Sequence, residues 1–150
     1  MHKARQVNFE IMIRKRIAFI FYLFFLFFLD QITKIFLANR DFFVGFIHFH
    51  TLQNRGLSFG INLGDKFNFL ILTVAIVLFL VYLTKNFKFT KTGFWMFLIF
   101  TGAASNLVDR FYFGFVRDFI DLRMGFTFNL ADLYILIGLV ALMFSHNQVE

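Results

Sequence analysis

Apolar residues fall in four blocks along the chain, each set off by polar or small residues. Ile17 to Leu29 is unbroken, and a helical pattern continues to about Leu37 with Asp30 and Lys34 near its far end. Phe67 to Leu83 is the second block, Gly93 to about Val108 the third, and Ala131 to about Phe144 the fourth. A helix needs roughly 20 residues to cross a bilayer, so the shorter blocks must be completed by interfacial residues at their ends. This pattern predicts a membrane all-α chain with four transmembrane helices, over about 17–37, 67–84, 93–110 and 131–147. Between blocks one and two the period changes. FIHFHT, Phe46 to Thr51, alternates with period two and predicts short strands, followed by a glycine-containing turn. The expectation is a small extracytoplasmic β-rich element resting on the membrane surface. The segment from about 111 to 130 is read as a loop that leaves the third span and returns to the fourth.

Composition agrees with a membrane class. Of 150 residues 59% are hydrophobic, more apolar surface than so short a soluble domain can bury. The 28 phenylalanines read as lipid-facing bulk, not as a cofactor box. With no Cys, disulfides, thiolate metal sites and a cysteine nucleophile are excluded. Arg14, Lys15 and Arg16 precede the first block as in a signal peptide. No small-x-small cleavage site follows it, which predicts a retained span. No internal repeat or long linker is visible, so residues 1–150 read as a single domain.

Charge sets the orientation. With four spans, the N-terminus, the loop near 85–92 and the C-terminus share one side. That side holds eight basic residues against Glu10 and Glu150, which is the whole net charge of +6. The other side balances seven basic with seven acidic residues. Positive charge marks the cytoplasmic face, so both termini are expected in the cytoplasm, and the charge does not imply nucleic acid. Every Asp then falls at or beyond the outer face.

Carboxylates are costly beside lipid, and those that persist there usually have a task. Asp30 and Lys34 stand at i and i+4, the favourable order for an ion pair that keeps both charges tolerable. His48 and His50 would share one strand face, but zinc needs three or four ligands and no partner cluster of His or Cys is visible, so no metal is expected. NRGLSFG, Asn54 to Gly60, is by itself a turn signal. In SNLVDR, Asn106 and Arg110 lie on one helical face with Asp109 beside them. Asp109 and Arg110 could simply cap a helix end, or Asn106 and Arg110 could offer donors to an extended peptide. Asp118 could pair with Arg117 or Arg123, and Asp132 could be negative charge at a helix start. Alternatively the loop from Phe119 to Ala131 brings both carboxyls to one depth. Two close carboxylates share a proton and can activate water against a peptide bond. A carrier using acids for protons or ions is the competing class, but it should place them near mid-membrane, whereas here they fall at span ends.

The blocks DQITK, NRGLSFG, SNLVDRFYFGFVRDF and FNLAD together resemble the lipoprotein signal peptidases (signal peptidase II), aspartyl peptidases of bacterial membranes. The resemblance implies that Asp118 and Asp132 form the catalytic dyad. It implies substrate binding by Asn106, Arg110, Asn54, Gly56 and Asn129, and a supporting role for Phe59, Asp30, Lys34 and Asp109. Asp109 falls on the Asp of one motif, and Asp30 and Lys34 on the first span's acid and base. It further implies cleavage of diacylglyceryl-prolipoproteins just before the modified Cys, with no cofactor or metal. The expected setting is the bacterial cytoplasmic (inner) membrane, with lipids and prolipoproteins as partners, no nucleic acid, and a monomer. Two departures stand out. Ser105 replaces the usual Gly, and Leu57-Ser58 replaces the commoner Ala pair; both are expected to add bulk or polarity near the cleft and so to bear on substrate preference.

Overall fold

The computed structural model describes residues 2–56, 65–86 and 90–146. Its elements follow in the order α1 (His2–Phe36), β1 (Asp41–Val44), β2 (Ile47–Asn54), α2 (Asp65–Asn86), α3 (Lys91–Phe113), β3 (Val116–Asp121), β4 (Thr127–Phe128) and α4 (Leu130–His146). The four apolar blocks thus become four helices. The first is longer than expected: it runs through Arg14, Lys15 and Arg16 instead of starting at Ile17. Arg and Lys are good helix formers, and no Pro intervenes to stop the helix. Thr90 caps α3 by accepting a hydrogen bond from the Gly93 N–H at 3.2 Å, and Gly114, at φ 77°, ends it. That left-handed residue turns the chain directly into β3.

The four strands form one antiparallel sheet in the order β1-β2-β3-β4. Strands in the first outward segment were expected; those in the second were not. The supposed loop after α3 is a hairpin whose first strand, VRDFID, runs along β2. Its polar residues hide the strand pattern because Arg117 and Asp118 are buried instead of facing water. In the register Leu52 lies opposite Asp118 and Asn54 opposite Val116, while His48 lies opposite Asp121.

Polarity is distributed inside out. Phe21, Phe24, Phe25 and Phe28 of α1 are more than half exposed, whereas Asp30, Lys34, Ser105, Asp109, Asp118 and Asn129 are at most 1% exposed. The apolar core is small: Leu26, Leu98 and Tyr134 join α1, α3 and α4, with Trp95 and Leu130 against them. Helices α3 and α4 meet through glycines. A Cβ on Gly102 would strike the Ala131 carbonyl, and one on Gly138 would strike Ile99 and the Trp95 carbonyl. This close approach sets the start of α4 against the middle of α3.

Among the described residues no helix is long and apolar enough to cross a membrane. Helix α4 has 17 residues. The polar residues of α1 and α3, Asp30, Lys34, Asn106 and Asp109, are buried against each other and not turned outward.

Candidate active site

Three elements supply the site: the end of α3, the strand β3 and the first turn of α4. FNLAD makes a reciprocal cap at the start of α4. The Asn129 side-chain oxygen accepts from the Asp132 N–H at 3.0 Å, and the Asp132 carboxylate accepts from the Asn129 N–H at 3.2 Å. This satisfies two amides that a helix start leaves unpaired. It also fixes Asp132 toward Asn129, whose amide reaches onward to Asp118, donating to Oδ1 at 2.6 Å. A second asparagine, Asn54, donates to the other oxygen of Asp118 at 2.8 Å. A third, Asn106, donates to Asp132 at 2.8 Å and accepts from the Asn129 amide at 3.1 Å.

Asp118 and Asp132 are therefore held by neutral amides. Burial pushes the Asp118 carboxyl up, and the negative Asp132 beside it pushes further, to about 7; the two asparagine amides pull the other way. A carboxylic acid that keeps its proton near neutrality beside a second carboxylate is a proton donor and acceptor in one place. Neither partner suggested by sequence proximity is used. Arg117 is committed to Asp109, with Nη2 to Oδ1 at 2.6 Å, and the Arg123 backbone N–H goes to Asp121.

Arg110 reaches over the same region. Its Nη2 donates to the Gly56 carbonyl at 2.7 Å and its Nη1 to the Asn106 carbonyl at 3.4 Å. It does not cap its own helix through Asp109. The Gly56 N–H in turn donates to the Asn54 side chain at 2.9 Å, so the turn that presents Asn54 is tied to α3. Arg110 Nε is buried and has no hydrogen-bond partner among the described residues. Phe59, Leu57 and Ser58 lie outside the described residues.

Behind the carboxylate pair lies an ionic network. Lys34 Nζ contacts Asp30 at 2.8 Å and Asp109 at 3.2 Å, and donates to Asn106 at 3.0 Å. The Ala131 N–H donates to Asp30 at 2.9 Å, tying α1 to the first turn of α4. Gln31, which was not singled out from sequence, and Arg117, which was considered only as a partner of Asp118, complete the network. Gln31 donates to Ser105 and Asp109, and accepts from Arg117 at 2.9 Å. Such pairing across elements is invisible in one sequence. Ser105 corrects an expectation as well. It does not bring polarity to the cleft; it is fully buried and its hydroxyl donates to Asp30 at 2.7 Å. On the sheet, His48 and His50 gain a third neighbour that the sequence reading missed, Asp121.

A family model described as signal peptidase (SPase) II matches residues 22–147, a stretch that holds every residue of the site described above. The chain belongs to the signal peptidase II family. It is similar to the lipoprotein signal peptidase of Fusobacterium nucleatum, at 36% identity over 85% of each chain. It is also similar to that of Clostridioides difficile, at 32% identity over 83% of this chain and 90% of the relative. Its fold matches a solved bacterial membrane enzyme with a TM-score of 0.76 at 26% identity, over 87% of this chain and 88% of that one. The family is one of aspartic peptidases acting in membranes, and the chain is accordingly a membrane protease.

Proposed function

We propose that Asp118 and Asp132 are the catalytic pair of an aspartic endopeptidase that removes signal peptides from prolipoproteins, cutting before a diacylglyceryl-modified Cys. One observation carries the assignment of the acids: a single buried residue, Asn129, donates its side-chain amide to the Asp118 carboxylate and its backbone N–H to the Asp132 carboxylate. One carboxyl, protonated, polarises the scissile carbonyl. The other, ionised, takes a proton from a water molecule as its oxygen attacks the carbonyl carbon. The first carboxyl gives its proton to the carbonyl oxygen, and the two acids have exchanged roles. Collapse of the tetrahedral intermediate then breaks the C–N bond: one of its hydroxyls returns a proton to the first acid as the new carboxyl group forms, and the second acid's proton goes to the leaving amine of the modified Cys. With Asp118 raised to about 7 by burial and by the neighbouring carboxylate, the pair keeps one shared proton near neutral pH and titrates as a unit.

The remaining residues have supporting roles in this reading. Arg110 Nε and the Asn106 region offer donors to the extended substrate backbone; Asn54, Gly56 and Asn129 shape and hold the dyad. Phe59 has a supporting role by its family motif alone. Asp30, Lys34 and Asp109 hold α1, α3 and α4 together behind it. The lipid anchor on the substrate holds its peptide bond at the membrane surface and limits the search for a productive pose. No cofactor is required, and the enzyme acts as a monomer among membrane lipids.

The four helices cross the cytoplasmic membrane in this reading, with both termini in the cytoplasm and the carboxylate pair at the outer face. The support is the eight-to-two charge asymmetry and the exposed phenylalanines of α1, which would be costly in water. At about 1.5 Å per residue α1 is some 50 Å long, so its basic end extends past the roughly 30 Å hydrocarbon core. Single cysteines at Lys91 and Phe46 should label from opposite faces of intact membranes; labelling of both from outside would overturn the orientation. The function is tested by incubating purified protein, without added metal, with a diacylglyceryl-prolipoprotein and with its unlipidated form. Cleavage of the first alone, before the Cys, is expected. Equal cleavage of both, or of neither, would sink the reading.

A further inference from the structure

From sequence, His48 and His50 fall one or two ligands short of a plausible metal site. The fold supplies one more from a distant part of the chain. His48 and His50 are separated by one residue on β2, so both rings stand on one face of the sheet, with ring centroids 4.3 Å apart. Asp121 on β3 is the register partner of His48. One ligand atom from each of the three residues lies within 4.8 Å of the others. Around a tetrahedral zinc, with bonds of about 2.0–2.2 Å, ligand atoms lie about 3.3 Å apart, a gap that small rotations of half-buried side chains can close.

Independent features point the same way. His50 Nδ1 is buried and has no hydrogen-bond partner among the described residues, a state that native proteins rarely leave uncompensated. His48 Nε2 lies 2.8 Å from the Asp41 carboxylate of β1. Metal-binding imidazoles are commonly oriented by such a carboxylate on one ring nitrogen while the other binds. The Phe43 ring stacks on His48 at 4.1 Å and further restricts it. The Arg123 backbone N–H donates to one oxygen of Asp121, fixing that carboxylate as well.

We propose that His48, His50 and Asp121 form a binding site for one divalent cation of the zinc type on the sheet, with Asp41 orienting His48. Two imidazoles and one carboxylate suit a borderline cation, whereas magnesium and calcium favour all-oxygen shells. Three protein ligands leave a fourth position for water. The site uses neither Asp118 nor Asp132. It joins β2 to β3, with Asp41 contributing from β1, so an ion there would pin the strand on which Asp118 lies.

The test uses full-length protein in detergent, freed of any affinity tag and of metal by chelation. Titration calorimetry with Zn²⁺ should give one site per chain, and Co²⁺ should give the visible bands of a tetrahedral nitrogen–oxygen site. Asp41→Asn should weaken Zn²⁺ binding about 10-fold. His48→Ala, His50→Ala and Asp121→Asn should each weaken it further than that. His2→Ala, Asp118→Asn and Asp132→Asn should leave it unchanged, which separates this site from the carboxylate pair. Zn²⁺ should raise the melting temperature of the native chain but not of His50→Gln, whose metal-free melting temperature confirms that it folds. Absence of binding, binding unaffected in the histidine variants, or binding lost in Asp118→Asn would each overturn the proposal. None of these outcomes bears on peptide cleavage, which is assayed without metal.

Discussion

Two sets of acids lie at the junction of helices and sheet, and they are treated in opposite ways. Asp30 and Asp109 are matched by Lys34 and Arg117, at 2.6–3.2 Å, so two negative charges face two positive ones. Asp118 and Asp132 receive their close hydrogen bonds from asparagines and backbone amides. Neutral donors orient a carboxylate without cancelling its charge, so the acid remains free to exchange a proton. An ion pair removes that freedom. In the proposed mechanism the same residue type serves as mortar in one place and as a reagent a few residues away, and the partner decides which. Lys34 stands on the border: its ammonium ends on two acids of the first set and on Asn106, which holds an acid of the second.

The largest effect should come from the second set. Asp118→Asn and Asp132→Asn should each slow cleavage by about 10⁴-fold or more, and the double variant should be scarcely worse, because the two act as one unit. Asn is nearly isosteric, so insertion and yield should persist. Glu10→Gln, an exposed acid far along α1, should retain full rate. Retained activity in either dyad variant would dissolve the distinction between the two sets.

Next in size is Lys34→Met. It strands Asp30 and leaves Asp109 to Arg117 alone, and removing one partner of a buried ion pair typically costs about 3–5 kcal/mol. Thermal unfolding in detergent should show the loss, with yield falling in parallel. A variant of native stability but no activity would move Lys34 out of the structural set and into the catalytic one.

A smaller effect concerns pH. Asp118 is raised from 3.8 to about 7 in the folded chain, so between those values the native state holds a proton that the unfolded state has released. Stability should therefore fall as pH rises from about 4 to 7, and level off above that. Asp118→Asn should flatten this part of the melting profile. Cleavage by the native enzyme should also decline above about pH 7, as the pair loses its shared proton. A melting profile that rises with pH across this window, and does so equally in Asp118→Asn, would contradict the contrast drawn above.

The smallest is Arg110→Ala, expected to lower cleavage about 10- to 100-fold. Arg110→Lys should rescue only in part, since an ammonium cannot hold the Gly56 carbonyl and present a further donor in one plane. An effect on stability alone would make Arg110 a clamp for the Asn54 turn and nothing more.

How much of this was legible in the chain follows from what each signal depends on. The four helices came from unbroken apolar blocks, and the β1–β2 hairpin from the alternation around His48. The strand β3 was missed because Arg117 and Asp118 are polar yet buried, which defeats any reading of inside and outside. The dyad was reachable from FNLAD and VRDF through family resemblance, but spacing alone left it open against pairing with Arg117 or Arg123. What no single sequence displays is the route by which Gln31 and Ser105 join Asp30 to Asp109, or how Asp121 comes to lie by two histidines. Those contacts depend on strand register and helix docking, and both are set by the whole fold.

Asn129 has a consequence for when the enzyme becomes active as well as for how. The hydrogen bonds that begin α4 are the ones that bring Asp132 to Asp118. If the two acids are the catalytic pair proposed above, the chain has no hydrolytic centre until that first turn has wound and docked against Gly102 of α3. Competence would then arrive with the closure of the bundle. Hydrogen exchange at the amides of Asn129 and Asp132 should then slow in step with the appearance of activity during reconstitution.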